Sequence, residues 1–515
     1  MACVCHPDGG APPAAPTPAR RLSRRAWFRE GAIGAAALAA PGLAAAQAPS
    51  RPPDGAYVID AGWALTTDAA DRPALVRDAA IVVERGVIAE VRTGAARAGL
   101  PRVDARRMLV LPGFISGHTH VCSGTPTRGL IEGGRSYARP LEIVESLDDA
   151  SLDALTAINL AELLRSGCTT QVEMSLSLRQ AESYVRVATR WGARGYPAPM
   201  VPGTSRLFGI WQRKDDATLT ASVPGTLDEI AAARRFAEKY RRSNDGLIRA
   251  QMAPHATDTH TPETLRAMID AAKAVGNGLH LHLAQGARET ETVTRLWGQS
   301  PVRWLAALGA FDQPVFGAHM AGVDWNADGP VLKQQGVVFA HCPSAGGAGG
   351  DTMPYPEALG AGVRVNIGID THSNDYVENL KLAVLYGQAR HGLLARTSPA
   401  PLGRPTIADA VESATRVPAT ALGRDDLGRL RAGARADVTA IDVTGLLVGT
   451  GALPPEPLNH LLYAHGSSVR HVAVDGRWQV FDGRLVVDDE ARVVNDGGRV
   501  VQTVWQQLER EGWFR

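Results

Sequence analysis

The sequence predicts an α/β protein built on a parallel (β/α)8 barrel, with a small β-rich domain formed from both chain ends. Three observations lead to this prediction. Short apolar strands alternate with amphipathic helical stretches through the middle of the chain, β-rich segments lie near both ends, and polar side chains follow the strands. A barrel with a satellite domain accommodates 515 residues.

Composition and charge exclude several classes of protein. With 45% hydrophobic and 21% charged residues, the chain can bury a large core and is not a disordered protein. The net charge of +1, without a basic stripe beyond the N-terminus, argues against a nucleic-acid partner. No apolar run reaches ~18 residues, so no membrane span is predicted in the mature chain. Five cysteines are too few for a disulfide framework in a chain of this length.

Residues 1–48 have the order of a twin-arginine signal peptide. Arg24 and Arg25 precede aromatic residues, the weakly apolar run 31–44 follows, and 46–48 read Ala-Gln-Ala, a small-residue cleavage motif. A disordered basic tail is the alternative interpretation. The signal predicts recognition by the twin-arginine export machinery and a periplasmic or secreted protein that is exported folded.

The β-rich domain is predicted from two separated segments. Short strands joined by turns start near Tyr57, and the same pattern of short strands and turns recurs at 436–443 and 469–487. We assign 49–111 and 427–490 to this domain, 112–426 to the barrel and 491–515 to a C-terminal helix.

Eight segments are candidate barrel strands. They are 108–117, 168–174, 194–201, 247–254, 278–284, 314–320, 336–342 and 363–370. Amphipathic helical stretches separate most of them, as a parallel barrel requires. The third strand is the least regular, because Pro197 and Pro199 interrupt it.

Polar residues recur where the candidate strands end. In strand order they are His118 with His120, Glu173, His255, His282, His319, His341 and Asp370; only the third strand lacks one. In a (β/α)8 barrel the chemistry sits at the C-terminal ends of the strands. Structural histidines would have no reason to collect at that single rim, so the rim is predicted to be the active site.

Four of these residues form a candidate metal site. The motif His-Thr-His places His118 and His120 on one face of an extended segment. With His282 and Asp370 the set offers three imidazole nitrogens and one carboxylate, which suits Zn²⁺ or another first-row divalent ion. The histidine pair alone is a weak signal, since two partly exposed loop histidines would look the same. Its combination with two further strand ends makes the metal interpretation strong.

Several motifs occur in the order found in the amidohydrolase superfamily. They are LPGFISGHTH, APHATDTHTPETL, HLHLAQG, GAHMAG, AHCPS and GIDTHSN, with LGRLRAGARADVTAID near the end. The sequence resembles the chlorohydrolase, cytosine deaminase and triazine hydrolase branch of that superfamily over roughly 57–490. The resemblance implies a distorted (β/α)8 barrel with a composite β-sandwich.

The resemblance also implies roles for individual residues. His319 would hydrogen-bond the metal-bound water or the substrate oxygen, His255 would line the substrate pocket, and Arg128 resembles a motif near that pocket. No lysine stands at the end of the fourth strand, where binuclear relatives carry a bridging lysine, so one ion is expected. Zn²⁺ is preferred over Fe²⁺, Co²⁺ or Mn²⁺. The implied metal ligands are His118, His120, His282 and Asp370.

Four other polar residues have two interpretations each. His280 shares a face with His282 but lies one layer deeper, which favours a core histidine over a ligand. His341 is near the pocket or makes a structural hydrogen bond, and His372 contacts substrate or holds its loop. Glu173 supports the site or forms a salt bridge at the edge of the core, and we favour the salt bridge.

The expected mechanism depends on Gln285. A divalent ion lowers the pKa of its water toward ~7, Asp370 accepts the proton as hydroxide attacks an sp² carbon, and His319 stabilises the developing charge. In the deaminating relatives a glutamate three residues after the fifth-strand histidine carries the proton to the substrate. Here that residue is Gln285, which cannot exchange a proton. This favours hydrolysis of an amide, urea or carbamate-like carbon–nitrogen bond in a small molecule, with Gln285 orienting the substrate.

Two other functions stay open from the sequence. One is a deaminase or chlorohydrolase that acts on a heteroaromatic ring and uses another proton donor. The other is a catalytically silent periplasmic binding protein, against which the intact ligand set argues. The sequence does not identify the substrate, and a homo-oligomer is an expectation from the resemblance alone.

Overall fold

The computed structural model describes residues 52–68, 70–94, 99–203 and 216–514. The predicted signal peptide, 1–48, lies outside these residues. Within them, no helix combines the length and the apolar character needed to cross a membrane.

Strands fall into a group near each chain end and a group between them. In chain order they are β1 Tyr57–Thr67, β2 Pro73–Glu84, β3 Val87–Thr93, β4 Arg102–Pro112, β5 Phe114–Thr119, β6 Cys168–Ser175, β7 Arg194–Val201, β8 Ala253–Pro254, β9 Leu279–Leu283, β10 Val315–His319, β11 Val338–His341, β12 Arg364–Ile367, β13 Val438–Asp442, β14 Val469–Val474, β15 Arg477–Phe481 and β16 Arg484–Leu485.

Helices follow most of the central strands, and a long one closes the chain. They are α1 Gly124–Thr127, α2 Ala138–Glu145, α3 Asp149–Arg165, α4 Leu178–Trp191, α5 Asp216–Lys239, α6 Pro262–Val275, α7 Ala287–Trp297, α8 Pro301–Ala307, α9 Gly329–Gln334, α10 Pro343–Ala348, α11 Tyr355–Ala361, α12 Tyr376–Leu394, α13 Ile407–Ala414, α14 Arg416–Ala421, α15 Pro457–His460 and α16 Glu490–Arg510.

The strands near the two chain ends share one sheet. Among the described residues its order is β16-β15-β14-β13-β4-β1-β2-β3, so β4 and β13 join the two halves. They pair antiparallel, with Leu109 opposite Ile441. Tyr57 and Trp478, one from each half, pack with ring centroids 4.9 Å apart in a shared apolar core. This confirms the predicted extra sheet domain built from both ends.

The central strands form a parallel barrel. Two parallel four-stranded sheets among the described residues have the orders β5-β6-β7-β8 and β9-β10-β11-β12. Single parallel bridges, Met252 to Leu279 and Thr119 to Asp370, join the two sheets at both seams. The barrel interior is filled by apolar side chains, as this fold requires; they include Ile115, Val172, Tyr196, Phe316 and Val338.

The first predicted strand, 108–117, is wrong as one element. Its first part belongs to β4 in the terminal sheet, and its second part belongs to β5 in the barrel. The break falls at Pro112 and Gly113. A Cβ on Gly113 would lie 2.2 Å from Thr169 Oγ1, so only glycine fits where the chain passes from one sheet to the other.

The third strand forms despite its two prolines. Gly195 and Pro197 accept hydrogen bonds from the backbone of Arg249 and Gln251, on the side that leads to β8. On that side β8 itself has only two residues, so the missing N–H groups of Pro197 and Pro199 interrupt a short ladder.

A buried charge cluster joins the barrel to the sheet. The guanidinium of Arg194, at the start of β7, donates to Asp437 Oδ2 over 2.8 Å and to Oδ1 over 3.0 Å, and it also contacts Asp475. Arg194 and Asp437 are both nearly inaccessible to solvent. Removing one partner would leave an uncompensated buried charge, so this cluster holds the two parts in one arrangement.

Candidate metal centre

The segment that carries His118 and His120 is fixed from two sides. On one side, Glu173 at the end of β6 accepts hydrogen bonds from Thr119 Oγ1 and Val121 N, both at 2.9 Å. On the other side, the backbone of Asp370 donates to His118 O over 3.0 Å and accepts from His120 N over 3.2 Å. The two imidazoles are therefore placed by the neighbouring strand ends.

The remaining contacts of Glu173 decide between its two interpretations. Its other oxygen accepts from Ser175 Oγ at 2.9 Å, and burial raises the pKa of the carboxyl to about 7. The favoured salt bridge is therefore wrong. Glu173 instead orients the His-Thr-His segment through hydrogen bonds.

Hydrogen bonds at Nδ1 fix the tautomers of two of the histidines. His120 Nδ1 lies 2.6 Å from Met174 O, and His282 Nδ1 lies 2.7 Å from His255 O. A carbonyl only accepts, so Nδ1 carries the hydrogen in both rings and Nε2 keeps its lone pair. Metal-binding histidines are commonly held in this way.

His118 is held by a histidine instead of a carbonyl. Its Nδ1 lies 2.8 Å from Nε2 of His280, one layer deeper in the barrel. If His118 Nε2 is to keep its lone pair, Nδ1 must donate and His280 must accept. The prediction that His280 is not a ligand agrees with this position, but the contact adds a role in orienting His118.

The candidate metal-binding atoms converge. Suitable atoms of His118, His120 and His282 all lie within 4.8 Å of one another, and so do those of His118, His319 and Asp370. Asp370 Oδ1 is 3.4 Å from His120 Nε2 and 3.8 Å from His118 Nε2. Tetrahedral ligands ~2.1 Å from one zinc ion would lie roughly 3.4 Å apart, so the spacing suits a single ion.

Burial supports the same conclusion. Nε2 of His118, His120 and His282 and both carboxylate oxygens of Asp370 are buried, with no hydrogen-bond partner among the residues described. Leaving such atoms unsatisfied costs about 1–3 kcal/mol each. A divalent ion would satisfy them together, so the residues present fit a mononuclear metal site.

The histidines are neutral, as ligands must be. Burial lowers the pKa of His118 and His282 well below the usual range and lowers that of His120 as well. Burial also lowers the pKa of His319 to about 4 and that of His280 to about 3. Asp370 is thus the acidic member of a cluster of uncharged imidazoles.

Left-handed backbone turns the rim residues toward the site. His319 has φ 76° and Asp370 has φ 60°, a conformation that costs non-glycine residues about 1–3 kcal/mol. Ala318 pairs with His282, so regular alternation would point His319 away from the ligands. Instead its ring stacks on that of His282 with centroids 5.4 Å apart. The strained φ therefore places His319 beside the metal centre.

Comparison with known proteins agrees with this centre. The sequence profile of the amidohydrolase family matches residues 109–479. The chain belongs to the amidohydrolase family. It is accordingly a metal-dependent hydrolase of carbon–nitrogen bonds, which confirms the predicted enzyme class. The catalytically silent alternative is not supported.

Individual relatives show the breadth of the family. A 5-methylthioadenosine/S-adenosylhomocysteine deaminase of Moorella thermoacetica is 30% identical over 73% of this chain and 82% of its own. A 5'-deoxyadenosine deaminase of Methanosarcina mazei is 27% identical over 82% of this chain and 90% of its own.

Solved structures confirm the fold. The zinc complex of atrazine chlorohydrolase from Arthrobacter aurescens TC1 has a TM-score of 0.72 at 22% identity, covering 86% of this chain and all of the other. A zinc-bound adenosine deaminase from Xanthomonas campestris has a TM-score of 0.71 at 23% identity, covering 87% of this chain and 98% of the other.

The substrate-binding candidates of this amidohydrolase occupy different positions. His255 lines a cavity together with His120 and His282. Arg128 instead forms a two-pronged ion pair with Glu162 of α3, with Nη1 2.8 Å from Oε1. The structure thus brings His255 to the metal centre and pairs Arg128 with α3.

His372 has both ring nitrogens engaged. Nδ1 lies 2.8 Å from Glu132 and Nε2 lies 2.8 Å from the hydroxyl of Tyr137, which lines the same cavity as His255. Sequence reasoning missed Tyr137, because it stands in a long loop with no strand to mark its position.

Gln285 is buried near the end of β9. Its backbone N–H donates to Glu289 over 2.7 Å, while its side-chain oxygen and nitrogen have no hydrogen-bond partner in the described part of the chain. Its amide is therefore a buried, unsatisfied polar group three residues after His282.

His341 lies on the outer side of the barrel. Ala340 pairs with Ala318, the neighbour of His282, so alternation directs His341 toward the helices. Its ring stacks on Tyr355 of α11 with centroids 5.0 Å apart, and neither nitrogen has a hydrogen-bond partner among the residues described. His341 therefore has neither of its two predicted roles: it does not lie at the pocket, and it makes no structural hydrogen bond within the described residues.

Proposed function

We propose that this amidohydrolase cleaves an amide, urea or carbamate-like carbon–nitrogen bond of a small molecule at one zinc ion. The ion would be held by His118, His120, His282 and Asp370. The observation that carries the proposal is a buried set of metal-binding atoms together with Gln285, which stands three residues after His282, where the deaminating branch that the sequence resembles carries a glutamate.

A divalent ion, when bound, would polarise the carbonyl group and make water acidic enough to lose a proton at neutral pH and attack the carbonyl carbon. Asp370 accepts the proton of the attacking water and passes it to the departing nitrogen. Asp370 Oδ2 lies 3.8 Å from His319 Nε2, so the two act on the same reacting group. His319 stabilises the negative charge that develops on the carbonyl oxygen.

The other nearby carboxylates are occupied by structural hydrogen bonds. Glu289 accepts from the backbone and hydroxyl of Thr257 and from the backbone of Gln285. Glu173 accepts from Thr119, Val121 and Ser175. We therefore assign to Asp370 the transfer of the proton from the attacking water to the departing nitrogen. A substrate whose carbonyl is already electrophilic suits one carrier, because it requires no separate protonation of a ring.

The relatives favour a second candidate function. Several are deaminases that act on adenosine derivatives, and one solved neighbour is an atrazine chlorohydrolase. A heteroaromatic substrate would need a second acid to protonate its ring. Gln285→Glu would supply one, so a gain of ring deamination in this variant would identify the altered proton path.

A substrate screen tests the proposal. The zinc-loaded protein is incubated with amides, ureas, carbamates, aminopyrimidines, adenosine derivatives and chlorotriazines, and products are quantified by mass spectrometry. We expect turnover in the first three classes and its loss after chelation. Efficient deamination or dechlorination of the rings, without cleavage of the acyclic bonds, would overturn the proposal.

We also propose that the paired arginines Arg24 and Arg25 direct the chain through the twin-arginine route. Their position before an apolar run and a cleavage motif supports this. Replacing both by lysine should leave the protein in the cytoplasm of an expressing bacterium. Periplasmic recovery equal to that of the unmodified chain would contradict it.

A further inference from the structure

An apolar cluster stands at the catalytic end of the barrel. Its members come from the loop after β5, from α2 and from the ends of neighbouring strands; they are Ile131, Tyr137, Leu141, Met174, Leu176, Ala198, Met200 and Ala253. All are buried. Ligand pockets are lined mainly by apolar and aromatic side chains with a few polar groups, so an apolar cluster at this end is a candidate wall of the substrate pocket.

Part of this cluster faces the metal-binding histidines. Four members of the cluster, Tyr137, Leu141, Leu176 and Met200, line one cavity. The same cavity is lined by Thr371 and by three histidines, His120, His255 and His282. Two proposed ligands therefore share a small space with four members of the cluster. Any group that reaches the position of the ion from this side touches both the ligands and the apolar side chains.

Tyr137 supplies a polar group, its hydroxyl, among the apolar side chains that line the cavity. Its hydroxyl lies 2.6 Å from Thr371 Oγ1 and 2.8 Å from His372 Nε2. His372 is in turn fixed by Glu132, 2.8 Å from its Nδ1. These contacts hold the aromatic ring in place, so that its face and its hydroxyl have fixed positions in the cavity.

We propose that Tyr137, Leu141, Leu176 and Met200 form the specificity wall of the enzyme and bind an aryl or branched alkyl substituent next to the scissile bond. The inference rests on the proposed function and narrows its substrate class. A ribose or another polyol would lose hydration against these side chains without gaining partners. The wall therefore selects apolar acyl or amino substituents over sugar-like ones.

One side chain of the wall, that of Met200, can change its conformation to admit a substituent. The cavity measures about 20 Å³, so a substituent enters by displacing a side chain. Met200 is the suitable one, because its unbranched side chain has three rotatable bonds and fits irregular shapes. Shortening it should widen the range of accepted substituents.

The test uses primary amides that all release ammonia, so that the leaving group is constant. Phenylacetamide, isovaleramide, acetamide and gluconamide are compared by kcat/KM with zinc-loaded enzyme. Binding of the same amides to metal-free protein is measured by calorimetry. We expect phenylacetamide to exceed acetamide and gluconamide by about 100-fold in kcat/KM, since a single methylene is worth about 10- to 200-fold in an apolar pocket.

Variants locate the preference on the wall. Leu176→Asn should reduce the preference about tenfold or more, and Met200→Ala should raise kcat/KM for substituents larger than benzyl. Tyr137→Phe keeps the ring and should retain the apolar preference. Leu447→Ala, at a leucine that is 74% exposed, is the control and should change nothing. Thermal unfolding identifies any variant that fails to fold, in which case Met200→Ala carries the test.

The outcomes separate this inference from the proposed function. Equal kcat/KM for all four amides would overturn the wall and leave amide hydrolysis standing. Absence of hydrolysis, with phenylacetamide still binding more tightly than gluconamide and this difference lost in Leu176→Asn, would support the wall and contradict the proposed function. Equal binding of all four amides to the unmodified protein would overturn the wall.

Discussion

The hydrogen bond between His118 and His280 gives the sharpest prediction about metal binding. In His280→Phe a ring of similar shape replaces the imidazole, and the acceptor of His118 Nδ1 disappears. That buried N–H, 2.8 Å from its present partner, would then be left unsatisfied. The ligand is no longer held in the tautomer that presents Nε2.

The magnitude follows from the contact. A buried donor that loses its partner costs about 1–3 kcal/mol. Loss of such an outer hydrogen bond typically weakens metal affinity about 10- to 100-fold. Since about 1.4 kcal/mol corresponds to tenfold in an equilibrium constant, both figures describe the same loss. We expect zinc affinity to fall within that range, while the protein stays folded.

Competition with a chromophoric chelator measures the affinity. His341→Phe is the matched control, because His341 is equally buried but has no hydrogen-bond partner among the described residues and stacks on Tyr355. It should bind zinc as tightly as the unmodified protein and be at least as stable. Unchanged zinc affinity in His280→Phe, or an equal loss in both variants, would refute the reasoning.

Three further predictions concern catalysis and stability. Asp370→Asn removes the proton carrier and should lower kcat/KM by about 10²–10⁴ in the substrate assay, with the fold unchanged by circular dichroism; full activity would contradict it. Arg194→Met leaves the buried Asp437 without its cation, whereas Asp475 keeps Arg435, and should cost about 3–5 kcal/mol in urea unfolding; a cost below about 1 kcal/mol would show that the cluster relaxes. In metal-free protein, His319 has a pKa of about 4 against 6.5 when unfolded. Between these two values the unfolded chain binds one more proton than the folded chain. The contribution of such a histidine to the free energy of unfolding should be constant above pH 6.5 and fall by about 1.4 kcal/mol per pH unit as the pH drops toward 4. A free energy of unfolding that rises as the pH drops from 6.5 to 4 would contradict the pKa shift.

The sequence predicted the elements whose signals are local. Strand alternation and strand ends located His118, His120, His282 and Asp370, because in a parallel barrel every strand brings its last residues to the same rim. The two β-rich ends predicted the terminal sheet for a similar reason. A strand is recognisable from its own residues.

Contacts between distant residues could not be predicted in this way. His280 holds His118 across 162 positions, and Tyr137 meets His372 across 235. No local pattern encodes such pairs. The left-handed φ of His319 is likewise imposed by packing and cannot be recognised from residue type, since non-glycine residues avoid it. The break at Pro112 and Gly113 was obscured because both neighbouring strands are apolar.

Metal content is the most direct test of the mononuclear centre. Protein purified without added metal or chelator is analysed by inductively coupled plasma mass spectrometry, beside His282→Ala. We expect about one zinc ion per unmodified chain, because the donors close around a single ion. The variant should contain little or no zinc. Two ions per chain, or equal zinc in His282→Ala, would contradict the account.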